Sequence, residues 1–272
     1  MNLAEMASIM PVNQHTTSRF GTQSLARGIR LMRTIATRPQ VGWRLTDLAI
    51  ACGQDKATVR RMLACLVEER LVEQRDSDRR YLPGPLMYEL GLALPQHAAF
   101  QRRAETIVEE FALRMGGIAL LQLRSGGDFV CSIRAGTVQM TGAMVYPGVR
   151  RPLFTSAGGI AILQTLPAEE ANAILMDNVN QEIKRHGVPR LASLQKMRDR
   201  SERHGFGVNF GYVVPHSYAF AVPVRGANGD AFAAVCIIGT PEAYGEERLD
   251  EVHDALLAVQ ARLESAAHEA GL

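Results

Sequence analysis

No stretch of the sequence reaches the roughly 18 consecutive apolar residues that a bilayer-spanning helix requires, which argues against a helical membrane protein. The first 18 residues contain no lysine or arginine, so they lack the charged start of a signal peptide. We expect residues 1–18 to form a flexible leader. We also expect the protein to be cytoplasmic and to have no membrane contact.

Cysteine is scarce, with four residues in 272. These cysteines lie far apart in the sequence, and three of them fall within apolar runs: Cys52, Cys65, Cys131 and Cys236. Such spacing argues against a disulfide framework. We expect reduced cysteines in the hydrophobic core of an intracellular protein.

Catalytic signatures are also missing, since the sequence has no CxxC pair, HExxH, GxSxG or Walker loop. The glycines of GFGVNFG (205–211) have the wrong spacing for a dinucleotide fingerprint and follow a predicted helix. His204 and His216 could meet in space, but scattered histidines do not predict a metal site. We expect no cofactor, no metal and no enzymatic activity. An enzyme built on the C-terminal half is the alternative, and it would need a nucleophile–base pair.

The charges that are present are unevenly distributed. From Arg19 to Arg80 there are 13 basic and 7 acidic residues, a net charge of +6. From Tyr81 onward there are 17 basic and 20 acidic residues, a net charge of −3. This asymmetry indicates that the front of the chain contacts a polyanion, although a solvated basic face is the alternative.

The front of the chain has the pattern of a winged helix-turn-helix. Helical spacing of apolar residues predicts helices over 24–39, 45–53 and 54–70. The apolar stripe of the first consists of Leu25, Ile29, Met32 and Ile35, and Thr46 is the expected N-cap of the second. LVEQ and RRYL then flank the polar turn RDSD, which predicts a small basic hairpin. This order of elements is typical of double-stranded DNA recognition.

The third of these helices places its cations opposite its apolar face and separates them with small residues. Small residues let a helix backbone approach the floor of the major groove, where the longer side chains can contact bases or phosphates. A helical protein–protein module with a solvated basic face is the alternative. The residues predicted to contact DNA are Arg27, Lys56, Ala57, Thr58, Arg60, Arg61, Arg75, Arg79 and Arg80.

Two amphipathic helices follow, over 86–96 and 98–117, with a break at Pro95. Leu86, Leu90 and Leu94 recur every four residues, as expected either for a linker helix that packs on its twin or for packing on the chain's own domain. Because two copies are needed to read two half-sites, we expect a dimer. The predicted domains are 19–84 for DNA binding, 85–98 for the linker helix and 99–272 for effector binding and oligomerisation.

The remaining sequence alternates strands and helices. It predicts hairpins over 118–136 and 218–240, an extended segment over 139–154, and helices over 155–175, 191–207 and 247–270. Strands paired by hairpins, with helices between them, indicate an α+β domain over an antiparallel sheet. In FTSAGGIAIL (154–163), Thr155, Ser156 and two glycines begin a helix. Unpaired N–H groups there suit a carboxylate, and simple helix capping is the alternative.

The sequence resembles the IclR family of bacterial transcriptional regulators over roughly residues 22–268. The resemblance is carried by SLARGIRLMRTIA, LTDLAIACGQDKATVRRMLACLVEERLVE, RRYLPGPLMYELG, PGVRRPLFTSAGGIAIL and FAVPVRGANGDAFAAVCIIG. It implies an N-terminal winged helix, a linker helix and a C-terminal effector domain related to the GAF fold. It also implies a homodimer or dimer of dimers on palindromic promoter DNA near catabolic genes, with the choice between repressor and activator left open.

The family resemblance also implies a pocket for a small organic acid. The position that is usually acidic in the family falls at Asn209 or Phe210, a frequent cysteine falls on Ala219 or Tyr218, and a frequent serine is replaced by Cys236. Because Phe154, Phe210 or Phe220 would lie nearby, we expect a less polar pocket that prefers an aromatic acid. The alternative is a vestigial pocket in a domain that only dimerises. The residues predicted to bind the effector are Met144, Phe154, Thr155, Ser156, Ala157, Gly158, Asn209, Phe210, Tyr218, Ala219 and Cys236.

Overall fold

The computed structural model describes residues 22–137 and 145–272 of the chain. The predicted leader, Met144 and the first part of the segment 139–154 lie outside the described residues. The described residues divide into two compact units, 22–95 and 96–272. This division falls inside the predicted linker 85–98, and the predicted domain boundaries on either side of it stay predictions.

The first unit is a three-helix bundle with a two-stranded wing and a short following helix. Its elements are α1 (Gln23–Ile35), α2 (Leu45–Cys52), α3 (Lys56–Glu68), β1 (Val72–Gln74), β2 (Tyr81–Pro83) and α4 (Pro85–Gly91). The strands pair in antiparallel fashion, with Gln74 opposite Tyr81. Apolar side chains from all three helices and the wing form one core, which confirms the predicted winged helix-turn-helix.

The turn between α2 and α3 is determined by two residues. Gly53 ends α2 in the left-handed conformation, with φ of 62°, where a side chain is disfavoured. Asp55 then caps α3, because its carboxylate accepts a hydrogen bond from the backbone N–H of Thr58 at 2.8 Å. The predicted cap at Thr46 is wrong, since α2 begins at Leu45 and Arg44 occupies the N-cap position.

The buried face of α1 matches the predicted apolar stripe in part. Ile35 is fully buried and Met32 is half-buried, but Leu25 is 64% exposed and Ile29 is 39% exposed, and Leu31 is buried in addition. Four-residue spacing is found both for Leu25 and Ile29 and for Leu31 and Ile35. Packing against the rest of the bundle determines which of these pairs is buried. Leu25 and Ile29 therefore add apolar surface to the outside of the unit.

The second unit contains a six-stranded sheet of order β5-β4-β3-β8-β7-β6, and every neighbouring pair of strands is antiparallel. Its strands are β3 (Ile118–Ser125), β4 (Asp128–Ala135), β5 (Arg150–Pro152), β6 (Gly207–Phe210), β7 (Tyr218–Arg225) and β8 (Ala231–Gly239). Its helices are α5 (Pro95–Met115), α6 (Ala157–Leu163), α7 (Ala168–His186), α8 (Pro189–His204) and α9 (Leu249–Ala270). The predicted α+β class, with helices flanking an antiparallel sheet, is confirmed.

Each face of the sheet has its own hydrophobic core. One core lies between the sheet and helices α5 and α9, and the other lies between the sheet and helices α6, α7 and α8. Because side chains alternate along a strand, neighbouring residues belong to different cores. We call the second side the α6 face of the sheet. Within the described ranges, no helix is both long and apolar enough to cross a membrane.

Three predicted elements of this unit differ from the observed ones. The helix predicted over 155–175 is observed as two helices, α6 and the start of α7. Pro167 lies between them, in the N-cap position of α7. Residues 207–210, where no strand was predicted, form strand β6 at the sheet edge. Pro95 is the first residue of α5 and the break precedes it, which suits a residue with no N–H to donate.

Candidate DNA interface and effector site

The exposed face of α3 displays short side chains between cations. Lys56, Ala57, Arg60 and Arg61 are exposed, whereas Val59 on the other side of the helix is fully buried. This division follows the helical period of the sequence. The face is therefore both positively charged and narrow, which is the shape that the major groove admits.

Two of the predicted contact residues on α3 interact with each other. Arg61 donates a hydrogen bond from Nη2 to the hydroxyl of Thr58 at 3.2 Å. The Thr58 backbone N–H is already bound by the Asp55 cap. This pair orders the Arg61 side chain along the first turn of α3, while its guanidinium stays at the surface.

A groove of about 500 Å³ runs beside α3, between the helix and the wing. Arg44, Arg60 and Arg79 contribute guanidinium groups to it, and Leu63 and Tyr81 contribute apolar surface. Asp78 also lines the groove, so three cations face one carboxylate there, and the excess of positive charge suits a phosphate backbone. Sequence reasoning did not identify Arg44, although its place just before the second helix of the motif was the available signal.

Two of the three wing arginines are bound within the domain, and contact of each of the three with DNA stays a prediction. Arg75 forms two hydrogen bonds with Asp78, at 2.9 and 2.8 Å, and also donates to the carbonyl oxygens of Gln40 and Val41. Arg80 pairs with the same Asp78 carboxylate at 3.2 Å. These arginines fasten the wing turn to the loop before α2.

The Asp78 carboxylate, which both arginines contact, is strongly stabilised in its charged form. The hydrogen bond from Arg75 is the main cause that lowers the pKa of Asp78 to about 2, and the charge of Arg80 contributes. Asp78 is therefore ionised at neutral pH. Asp78 thus pairs with two cations, while the wing as a whole (72–83) has three basic and three acidic residues and no net charge.

The third wing arginine faces outward. The Arg79 side chain is 69% exposed, and its distance of 3.8 Å from the fully exposed Asp76 makes a weak ion pair. Its backbone has φ of 57°, which turns the chain sharply at the tip of the wing. Arg27 is also exposed, but it lies on α1, and the described contacts do not join it to the groove.

The predicted effector residues fall into two groups, on opposite faces of the sheet. Asn209 on β6 pairs with Ala219 on β7, and Cys236 on β8 lies opposite Ala221. Asn209, Ala219 and Cys236 are buried, and Ala219 and Cys236 pack in the core on the α6 face. The structure therefore brings these positions to one side of the sheet.

Phe210 and Tyr218 lie on the other face, in the core formed with α5 and α9. Their rings pack edge to face at 5.0 Å, and Phe210 contacts Phe220 at 5.4 Å. Of the alternatives given for each family position, strand alternation therefore places Asn209 and Ala219 on the α6 face and Phe210 and Tyr218 on the other. Binding of an effector by any of them stays a prediction. Phe154, in contrast, is fully buried on the α6 face.

The segment that enters α6 uses its hydroxyl groups for local structure. Thr155 donates to the carbonyl of Pro152 at 2.8 Å, and Ser156 caps α6 by accepting from the N–H of Gly159 at 2.9 Å. Ala157 and Gly158 follow and are buried against the sheet. The capping reading of Ser156 is confirmed, whereas binding of a carboxylate at this segment stays a prediction. Met144 lies outside the described residues.

The thiol groups on the α6 face are neutral. Burial raises the pKa of Cys236 and of Cys131 to about 12 in each case. Cys52 is also buried, but Cys65 is exposed on α3, so the expectation of four core cysteines holds for three. Among the described residues, no three His, Cys, Asp or Glu side chains come together as metal ligands.

A buried glutamine next to α6 was missed by sequence reasoning. Gln122 on β3 is 2% exposed, and its carbonyl oxygen accepts a hydrogen bond from the Ser156 hydroxyl at 3.3 Å. The available signal was a polar residue inside the apolar run IALLQL at 118–123. Its position beside Ser156 and Gly158 makes it part of the candidate effector site.

Comparison with known families agrees with both parts of the structure. The IclR helix-turn-helix domain matches residues 24–76, and the C-terminal domain of bacterial IclR transcriptional regulators matches residues 94–264. Together these matches include α1 to β1 and most of the second unit. The observed order of a winged helix followed by an antiparallel sheet is therefore the order that this family has.

Individual relatives are distant in sequence but extend over nearly the whole chain. The HTH-type transcriptional regulator KipR of Bacillus subtilis is 22% identical over 89% of this chain and 97% of its own length. An IclR-type regulator of Silicibacter superposes with a TM-score of 0.72 at 19% identity, over 90% of this chain and 96% of that one.

An IclR homologue of Microbacterium hydrocarbonoxydans, solved in complex with 4-hydroxybenzoate, has a TM-score of 0.64 at 17% identity, over 90% of this chain and 98% of that one. At these identities the structural likeness concerns the fold alone. Assignment to a family instead comes from the two domain matches, which cover most of the chain in the expected order. The chain therefore belongs to the IclR family of bacterial transcriptional regulators.

Proposed function

We propose that this regulator binds palindromic promoter DNA as a dimer and that a small aromatic acid, bound on the α6 face of the sheet, controls its DNA affinity. The observation that carries the DNA-binding part is the groove where Arg44, Arg60 and Arg79 surround the exposed edge of α3. Neutralisation of phosphates by these groups gives affinity, and the tip of α3 reads bases.

A dimer is supported by apolar surface that the first unit leaves uncovered. Leu25 on α1, Tyr88 and Leu90 on α4, and Leu94 just after α4 are each more than half exposed. Large exposed apolar side chains in this number are typical of a protein contact. A second copy would cover them and would place a second α3 on the other half of a palindrome.

An aromatic acid is supported by the character of the α6 face. Leu120, Ala221 and Ile238 are buried there beside the neutral Cys236. Such a surface suits a flat apolar body, and Asn209 supplies a polar group. The 4-hydroxybenzoate bound to the Microbacterium homologue, which has the same fold, agrees with this class of ligand. Control of catabolic genes would follow from sensing such an acid.

The DNA-binding part is tested by selecting sites from a random duplex library with the full-length protein and measuring affinity by fluorescence anisotropy. We expect Arg60→Ala and Arg61→Ala each to weaken specific binding by about 1–3 kcal/mol if the lost contact is to a base. Lys56→Ala should weaken binding equally on all sequences if Lys56 contacts phosphate.

Arg102→Ala is the matched control, because Arg102 is an exposed arginine on α5 in the second unit. It should leave the affinity for the selected duplex unchanged. If the double variant Arg60→Ala/Arg61→Ala bound the selected duplex as tightly as the wild type does, α3 would not be the recognition helix.

A further inference from the structure

We propose that Gln122 is a specificity-determining residue of the effector site, whose side-chain amide N–H donates to a carboxylate oxygen of the ligand. This inference rests on the proposed acid-binding function of the α6 face and deepens it. Gln122 lies on β3, two strands away from Ala219 on β7, and only 2% of its surface is exposed.

The two ends of the Gln122 amide have different environments. The carbonyl oxygen accepts from the Ser156 hydroxyl at 3.3 Å, but the amide nitrogen has no hydrogen-bond partner among the described residues. The amide nitrogen is not among the fully buried atoms that lack a partner in the described part of the chain, so it keeps some contact with solvent although the residue as a whole is buried. A ligand that reaches this donor can supply the acceptor in place of water.

Ser156 does not by itself explain the glutamine. Its hydroxyl oxygen already accepts the hydrogen bond from Gly159 that caps α6, and that cap does not involve Gln122. On the neighbouring strands, Gln122 lies opposite Cys131 and Ala234, so its surroundings on the sheet are apolar. An aliphatic side chain would suit this position better if only packing mattered.

The glycine at position 158 makes room for the amide. A β-carbon built on Gly158 would lie 2.1 Å from the Gln122 carbonyl oxygen, much closer than any real contact of this kind. The absence of a side chain there lets the amide lie directly against the backbone of α6. Gln122, Ser156 and Gly158 thus form one packed arrangement at the start of the helix.

A second buried amide on the same face shows the same asymmetry. The Asn209 carbonyl oxygen accepts from the backbone N–H of Tyr212 at 3.0 Å, and its amide nitrogen has no partner among the described residues. Both amides therefore use their acceptor inside the protein and keep their donor available. A ligand complementary to them presents acceptor oxygens, as a carboxylate does.

The inference is tested by calorimetric titration of the full-length protein with benzoate, 4-hydroxybenzoate and the neutral analogue benzamide. In the Gln122→Leu variant we expect acid binding to weaken by roughly 10- to 100-fold, the factor for a lost hydrogen bond to a charged group. Benzamide binding should change much less, so the ratio of the two dissociation constants should fall by a similar factor.

Gln122→Glu keeps the shape and the acceptor for Ser156 but replaces the donor with a carboxylate oxygen. We expect it to weaken acid binding at least tenfold and to favour benzamide, which can donate. Gln164→Glu is the matched control, since it places the same charge at the exposed end of α6, and it should leave the ratio unchanged. Thermal unfolding of each variant shows whether it is folded.

The possible results distinguish a failure of the role given to Gln122 from a failure of the proposed acid-binding function. If the wild type and Gln122→Leu bind the acids with the same preference over benzamide, Gln122 does not select the ligand, although the acid-binding function stands. If the wild type binds neither acid, the inference and the proposed acid-sensing function are both overturned. A lost preference in Gln122→Leu with an unchanged unfolding temperature supports both.

Discussion

Arg75 and Arg79 are four residues apart on the wing turn, and they differ in the partners of their side chains. Arg75 makes four hydrogen bonds, to Asp78 and to the carbonyl oxygens of Gln40 and Val41. Arg79 projects from the turn with most of its side chain exposed. Charge alone does not distinguish them, but the partners of each guanidinium do.

At this scale we expect the two alanine variants to affect different measurements. Arg79→Ala should weaken DNA binding and lower the magnitude of the salt slope by about 0.9, the value for one lost phosphate contact, without changing the thermal midpoint. Arg75→Ala should lower the thermal midpoint, because the wing loses its attachment to the loop before α2. The reverse assignment of the two effects would contradict this view of the wing.

At the scale of elements, two glycines hold the first unit together in different ways. Gly53 ends α2 with a positive φ, and a β-carbon added there would meet no atom within 4 Å. Gly84 lies between β2 and α4, where an added β-carbon would be 2.2 Å from the carbonyl oxygen of Arg70. One glycine provides a backbone conformation, and the other permits a close approach of two chain segments.

These differences predict an order of stability in urea unfolding. Gly53→Ala should cost about 1 kcal/mol, which is the strain of a left-handed alanine. Gly84→Ala should cost about 2–3 kcal/mol, because the backbone around Arg70 has to shift to make room for the methyl group. A larger loss for Gly53→Ala than for Gly84→Ala would show that backbone strain outweighs the close contact.

Elements with a strong local pattern could be predicted from the sequence, and those that depend on distant partners could not. The α3 helix has an apolar stripe, a capping Asp55 and a preceding Gly53, and it forms where expected. Strand β6 has four residues and exists because it pairs with β7 at the sheet edge. Pro167 was a visible signal for the break between α6 and α7, and the prediction did not use it.

The candidate sites show the same limit. Exposure of Arg60 and Arg61 follows from the helical period of α3, whereas binding of Arg75 to Gln40 and Val41 depends on a contact across 34 to 35 residues. On the sheet, the sequence left the register around β6 open by one residue. A shift of one residue determines whether Asn209 or Phe210 lies on the α6 face. Gln122 became visible only when the strands placed it beside Ser156.

At the scale of the whole molecule, the proposed regulation means that binding of the ligand and binding of DNA influence each other. A ligand changes DNA affinity only if it binds one arrangement of the two DNA-reading domains better than another. In the proposed dimer, the spacing of two α3 helices would determine whether both half-sites are read together. A coupling free energy of about 1–3 kcal/mol corresponds to a 5- to 150-fold change in affinity.

The most direct measurement is the dissociation constant for the selected duplex with and without a saturating aromatic acid, at one fixed salt concentration. We predict a change of about 5- to 150-fold in the wild type, in either direction. The same acid should bind the protein more tightly or more weakly by the same factor when DNA is present. An acid that binds the protein but leaves its affinity for the duplex unchanged would contradict the account.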